Sequence, residues 1–62
     1  MPNPQQLTAE QEADLSRLKS YRPFTRVFAA VNGPECQMWF AGDRRKANRL
    51  FREGWAIWEA KR

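Results

Sequence analysis

The stretch Gly42–Arg62, GDRRKANRLFREGWAIWEAKR, decides how the rest of this chain is read. Taken at about 100° per residue, Ala47, Leu50, Phe51, Gly54, Trp55 and Trp58 fall on one face, with Ile57 at its edge. The apolar arc is roughly 160° wide. Arg45, Arg49 and Arg52 fall on the opposite face. With Asp43 as N-cap, the pattern predicts one amphipathic helix running to the C-terminus.

Working back from that helix, two short runs rich in aromatic and β-branched residues predict a hairpin. Phe24–Val31 (FTRVFAAV) is the first strand and Cys36–Ala41 (CQMWFA) the second. Asn32-Gly33-Pro34-Glu35 is the turn, because Asn-Gly favours positive φ and Pro34 cannot donate to a ladder. A four-residue turn sets Val31 opposite Cys36, Ala29 opposite Met38 and Val27 opposite Phe40. That face is apolar and is expected to lie on the C-terminal helix. The other face pairs Phe28 with Trp39 and Ala30 with Gln37. The first helix through Leu15 and Leu18, or a second subunit, is the expected cover for it.

Upstream, Thr8-Ala9-Glu10-Gln11 fits a capping box. Glu10, Glu12 and Asp14 fill the first half of the helix it opens, and Arg17, Lys19 and Arg22 the second, as the helix dipole favours. Pro23 ends it. Residues 1–6, with two prolines and no pattern, are expected to be disordered. The expected fold class is therefore α+β. It is a small α-β-β-α module over residues 7–62, an antiparallel β-hairpin packed on a C-terminal amphipathic helix.

Composition narrows the function. A chain of 62 residues buries only about 60% of its unfolded surface and usually needs a staple or a partner. Cys36 is the only cysteine and there is no histidine. An intrachain disulfide is excluded, and the usual zinc donor set is missing. No metal, cofactor or catalytic pair is expected, and the chain is read as a non-enzyme. With two sheet edges and three Trp, four Phe and one Tyr to bury, a homodimer is expected. No apolar run approaches the roughly 20 residues that span a bilayer. Met1–Gln6 has no charged run and no apolar run, so a signal peptide is not expected there. A cytoplasmic protein with no membrane partner is expected.

Net charge is +4, eleven Lys and Arg against seven Asp and Glu. The bases gather after Arg17 and again from Arg44 to Arg52, which favours a polyanionic partner. Arg44, Arg45 and Lys46 stand in the first helical turn, the unfavourable end of the dipole. Of the row Arg45, Arg49 and Arg52, Glu53 neutralises only Arg49 at i+4. The expected function is a small, basic, nucleic-acid-binding regulatory protein of phage or mobile-element type. Duplex DNA is preferred: Arg44, Arg45, Lys46, Arg49 and Arg52 would sit on phosphates, and Asn48 with Arg45 at base edges. The alternative is an inhibitor or adaptor that docks on a larger protein through Phe28, Trp39, Trp55 and Trp58, since tryptophan is a favoured anchor.

Overall fold

Thr8 starts the first helix as its side chain suggests. Its hydroxyl accepts from the Gln11 backbone N–H (3.1 Å), and the Gln11 side-chain oxygen accepts from the Thr8 N–H (3.0 Å). Helix α1 follows over Ala9–Tyr21, then strands β1 (Arg26–Asn32) and β2 (Glu35–Ala41), helix α2 (Arg45–Arg52) and strand β3 (Ala56–Glu59). These elements belong to a computed structural model that describes residues 6–61. The disorder expected for residues 1–6 lies, but for Gln6, outside the described residues. The α+β class and the order α-β-β-α stand, with a short second helix and a third strand after it.

The β1–β2 hairpin has the expected register. Val27 faces Phe40, Phe28 faces Trp39, Ala29 faces Met38, Ala30 faces Gln37 and Val31 faces Cys36. Asn32 and Glu35 also pair, so the connection is the two residues Gly33 and Pro34. Gly33 takes φ +62°. Pro34 is locked at negative φ, so only the first central position is left-handed, as in a type II′ turn.

The expected long helix does not form beyond Arg52. Gly54 adopts φ +101°. The Trp55 N–H bonds to the Leu50 carbonyl (3.0 Å) and the Gly54 N–H to the Phe51 carbonyl (3.1 Å). This is the pair of bonds that closes a helix in a Schellman cap. Gly54 is therefore a terminator, not a member of an apolar helical face. Trp55, Ile57 and Trp58 leave the helix, and Ala56–Glu59 pairs antiparallel with β1, Ala30 facing Ile57 and Ala29 facing Trp58. The sheet has three strands in the order β2-β1-β3, where two were expected. Gly54→Ala places a Cβ in a left-handed conformation, which costs about 1–2 kcal/mol. A fall of that size in urea-unfolding free energy is expected; an unchanged midpoint would mean that the helix runs on through residue 54.

The assignment of faces is also corrected. Leu15 of α1 joins Val27 and Ala29 in one cluster, with Leu7, Leu18, Met38, Phe40, Trp58 and Ala60 around it. The face expected under the second helix is thus covered by the first. Helix α2 lies across the other face. It buries Ala47 and Leu50, and its first turn sets Arg44 over Phe28 and Lys46 over Trp39. The Val27/Ala29 side, which also holds Met38, Phe40 and Trp58, takes the leucines of α1. The other side already holds two stacked rings, Phe28 and Trp39, 5.6 Å apart, and accepts a helix whose inward residues are only Ala47 and Leu50. The central strand is covered on both faces: Val27, Phe28, Ala29, Ala30 and Val31 are all buried. It reads as a continuous apolar run for that reason.

Candidate nucleic-acid interface

Helix α2 is short and strongly two-sided. With Ala47 and Leu50 turned to the sheet, helical geometry puts Arg45, Asn48, Arg49 and Arg52 on the outward side. All four are exposed. Four of the six residues named for nucleic-acid contact are therefore brought together on one solvent-facing row. Three cations and one amide of this kind can hold successive phosphates, and the amide can both donate and accept.

The row is better compensated than the spacing alone suggests. Asp43 precedes the helix but does not cap its first N–H conventionally; the N-cap position is Arg44, which makes no side-chain cap bond. The Asp43 carboxylate instead accepts from the Arg45 backbone N–H (3.0 Å) and from the Arg45 guanidinium (3.0 Å). Arg49 lies 3.9 Å from Glu53. Both pairs are exposed, with the Arg45 side chain 91% accessible, and solvent screens such pairs strongly. Among the described residues Arg52 makes no ion pair.

The Asp43 carboxyl is held below its usual range, first by the Arg45 N–H and then by the Arg45 side chain. A carboxylate with a depressed native pKa supports the fold above its unfolded pKa, and that support fades as pH falls through the lower native value. The start of α2 should therefore loosen only in acid. An NMR titration of the Asp43 side chain should give a midpoint below that of an unpaired aspartate; Arg45→Ala should move it up.

Arg44 and Lys46 have a different geometry from the row. The Arg44 guanidinium stands 5.4 Å from the Phe28 ring centre and donates to Glu59 at 3.0 Å. Arg26, at the start of β1, approaches the same carboxylate at 3.6 Å. Glu59 thus ties the first turn of α2 to β1 and β3. The Lys46 ammonium sits 4.6 Å from the Trp39 ring centre. These two cations roof the aromatic face, a favourable arrangement of about 0.5–1 kcal/mol each at exposed sites. Arg26 reads from the sequence only as a base beside the aromatic hairpin face, and Glu59 was not singled out by sequence reasoning. Their link to Arg44 spans three elements, and no local spacing signals it.

The aromatic residues named for the alternative reading are dispersed. Phe28 is fully buried under α2. Trp39 is half-buried under Lys46, and its indole N–H finds no partner among the described residues. Trp58 packs in the Leu15 cluster on the opposite face. Trp55 is half-buried beyond the cap of α2. Phe28 and Trp58 act as core, so the four do not form one docking surface. The most exposed aromatics are others: Tyr21 (78%), Phe24 (97%) and Phe51 (68%).

Cys36 is half-buried on the α1 side of β2. Burial, and then the negative charge of Asp14, push its thiol above the usual range. It stays protonated at neutral pH and is a poor nucleophile. Among the described residues no group of His, Cys, Asp and Glu could hold a metal ion, and no helix is long and apolar enough to cross a membrane. Compared with known proteins, the chain matches no family model, no curated protein and no solved structure.

Proposed function

We propose that this protein is a small, non-enzymatic, cytoplasmic nucleic-acid-binding protein that grips duplex DNA through the outward row of α2. One observation carries the reading. The sheet takes Ala47 and Leu50 from α2 and leaves Arg45, Asn48, Arg49 and Arg52 exposed in a row. The row presents positive charge to a polyanion, while Arg44 and Lys46, held over Phe28 and Trp39, add field rather than free contacts. Phosphate neutralisation supplies the affinity, and Asn48 is the residue suited to a base edge.

A homodimer is part of the proposal. Strand β2 is an outer strand of seven residues, ECQMWFA, with no Lys or Pro to blunt it. Such an edge is a template for a second copy. Antiparallel pairing of two β2 strands about a two-fold axis perpendicular to the sheet would keep both α2 helices on the same side, doubling the basic surface.

Fluorescence anisotropy of a labelled random-sequence duplex, titrated across salt concentrations, tests the main reading. Binding is expected to weaken with a log–log slope of about −0.9 per phosphate neutralised, which for three phosphates is roughly −3. Absence of binding at low salt would overturn it. Sedimentation of the same sample tests the dimer.

A further inference from the structure

A second basic region, separate from the α2 row, gathers at one end of the sheet. Strand β1 begins there at Arg26, opposite Ala41 at the end of β2. Phe28 faces Glu59, so β3 ends there too. The C-terminus of α1 and the turn into β1 complete this end. The turn Arg22-Pro23-Phe24-Thr25 is closed by a bond from the Thr25 N–H to the Arg22 carbonyl (3.1 Å). Phe24 lacks the positive φ that a type II turn requires at this position, so the turn is of type I with Pro23 at its favoured place.

The turn is held from several sides. The Lys19 ammonium donates to the Thr25 carbonyl (3.0 Å). The Arg22 N–H bonds to the Leu18 carbonyl (3.2 Å), and the Arg22 guanidinium packs on Phe40, 5.1 Å from its ring centre. Phe24 is carried on this fixed turn and is 97% exposed. A rigid backbone presenting a bare ring loses little entropy when something stacks on it. Its chain neighbour Pro23 lines an open groove of about 460 Å³ together with Ser16, Lys19, Ser20 and Lys61. Two ammonium groups and two hydroxyls there offer donors of the kind that hold a phosphate. Lys19 spends one of its three N–H groups on Thr25.

We infer that this end of the molecule binds single-stranded nucleic acid, with an unpaired base stacked on Phe24 and its neighbouring phosphate held in the Ser16/Lys19/Ser20/Lys61 groove. Charge complementarity selects the occupant. The groove next to the ring is lined by two lysines, two serines and a proline and by no carboxylate, which fits a base with its phosphate and not the apolar surface of a protein. A base offers a π-face whatever its identity, so the contact is indifferent to sequence. A paired base inside a duplex has no free face to offer. The site does not depend on the α2 row.

The test compares wild type, Phe24→Ala, Phe24→Trp and Lys61→Gln against a labelled oligothymidylate and a labelled duplex, with circular dichroism to verify each fold. Phe24→Ala is expected to weaken oligothymidylate binding about tenfold or more and to leave duplex binding unchanged. Phe24→Trp should retain the affinity, and Lys61→Gln should lower it and its salt dependence. Charge reversal at Arg45 and Arg49 reads the α2 row separately. Its loss of duplex binding, or its failure to affect it, leaves the Phe24 result to stand alone. The inference is overturned if wild type does not bind oligothymidylate, or if Phe24→Ala binds it as well as wild type does. It is also overturned if wild type ignores oligothymidylate but binds phosphatidylserine vesicles in a Phe24-dependent way, which would make this end a membrane-surface contact.

Discussion

Charge reversal of Arg45 and Arg49 together, R45E/R49E, should abolish duplex binding while the protein stays folded. Each arginine that meets a phosphate makes a charge-assisted bond worth about 1.5–3 kcal/mol. Losing two therefore lowers affinity roughly a hundredfold or more, and the new carboxylates repel the backbone besides. The salt slope should flatten by about one for each phosphate no longer neutralised. The fold has little at stake. Both side chains are exposed, and their partners Asp43 and Glu53 lie in exposed pairs. Glutamate at position 45 enters the first turn of α2, where the helix dipole favours it. Glutamate at position 49 meets Glu53 at i+4 and costs about 0.2–0.5 kcal/mol. The measurement is duplex anisotropy beside thermal unfolding. Retained affinity in a folded double variant would remove the α2 row from consideration.

Phe28→Ala carries the largest expected effect on stability. Phe28 is fully buried on the central strand, stacked on Trp39 at 5.6 Å with the planes 25° apart and roofed by Arg44. Removing a buried Phe ring costs about 3–5 kcal/mol through lost transfer energy and the cavity left behind. At about 0.05–0.15 kcal/mol per residue, a domain of this length has only roughly 3–9 kcal/mol in total. Most molecules should unfold at room temperature, or survive only with a sharply lowered urea midpoint. Phe28→Leu should cost much less, since it keeps most of the volume. Near-wild-type stability of Phe28→Ala would mean that this ring is a surface group, as the docking reading of the sequence had it.

The placement of that ring shows where local patterns stop being informative. Alternation along β1 and β2 sorts Val27 and Ala29 from Phe28 and Ala30, and the turn at Gly33 and Pro34 sets the register. Both are properties of neighbours in the chain. Which helix covers which face is not, because it depends on the fit of Leu15 and Leu18 against Val27, set against Ala47 and Leu50 against a pair of stacked rings. The tail was legible in part. Arg49 and Arg52 in a last turn followed by Gly54 form a helix-stop signal, and Trp55-Ala-Ile-Trp58 is too rich in aromatic and branched residues to favour a helix over a strand. The 3.6-residue spacing of its apolar residues overrode that signal in the reading, and a run of four strand residues is too short for periodicity to decide.

The candidate interface divides in the same way. Arg45, Asn48, Arg49 and Arg52 form one row because helical periodicity alone aligns them. The cations at the end of the sheet come from α1, β1 and the residues after β3, and only the folded chain brings them to the end that carries Phe24. By itself the sequence determined the α+β class, the capped first helix, the hairpin register and the arginine row, since each depends on contacts within a few residues or across one tight turn. The tertiary structure decided the end of α2, the third strand, the helix that lies on each face and the basic end around Phe24. Those outcomes depend on distant segments competing to bury the same strand, and the chain settles that competition only when all of them pack together.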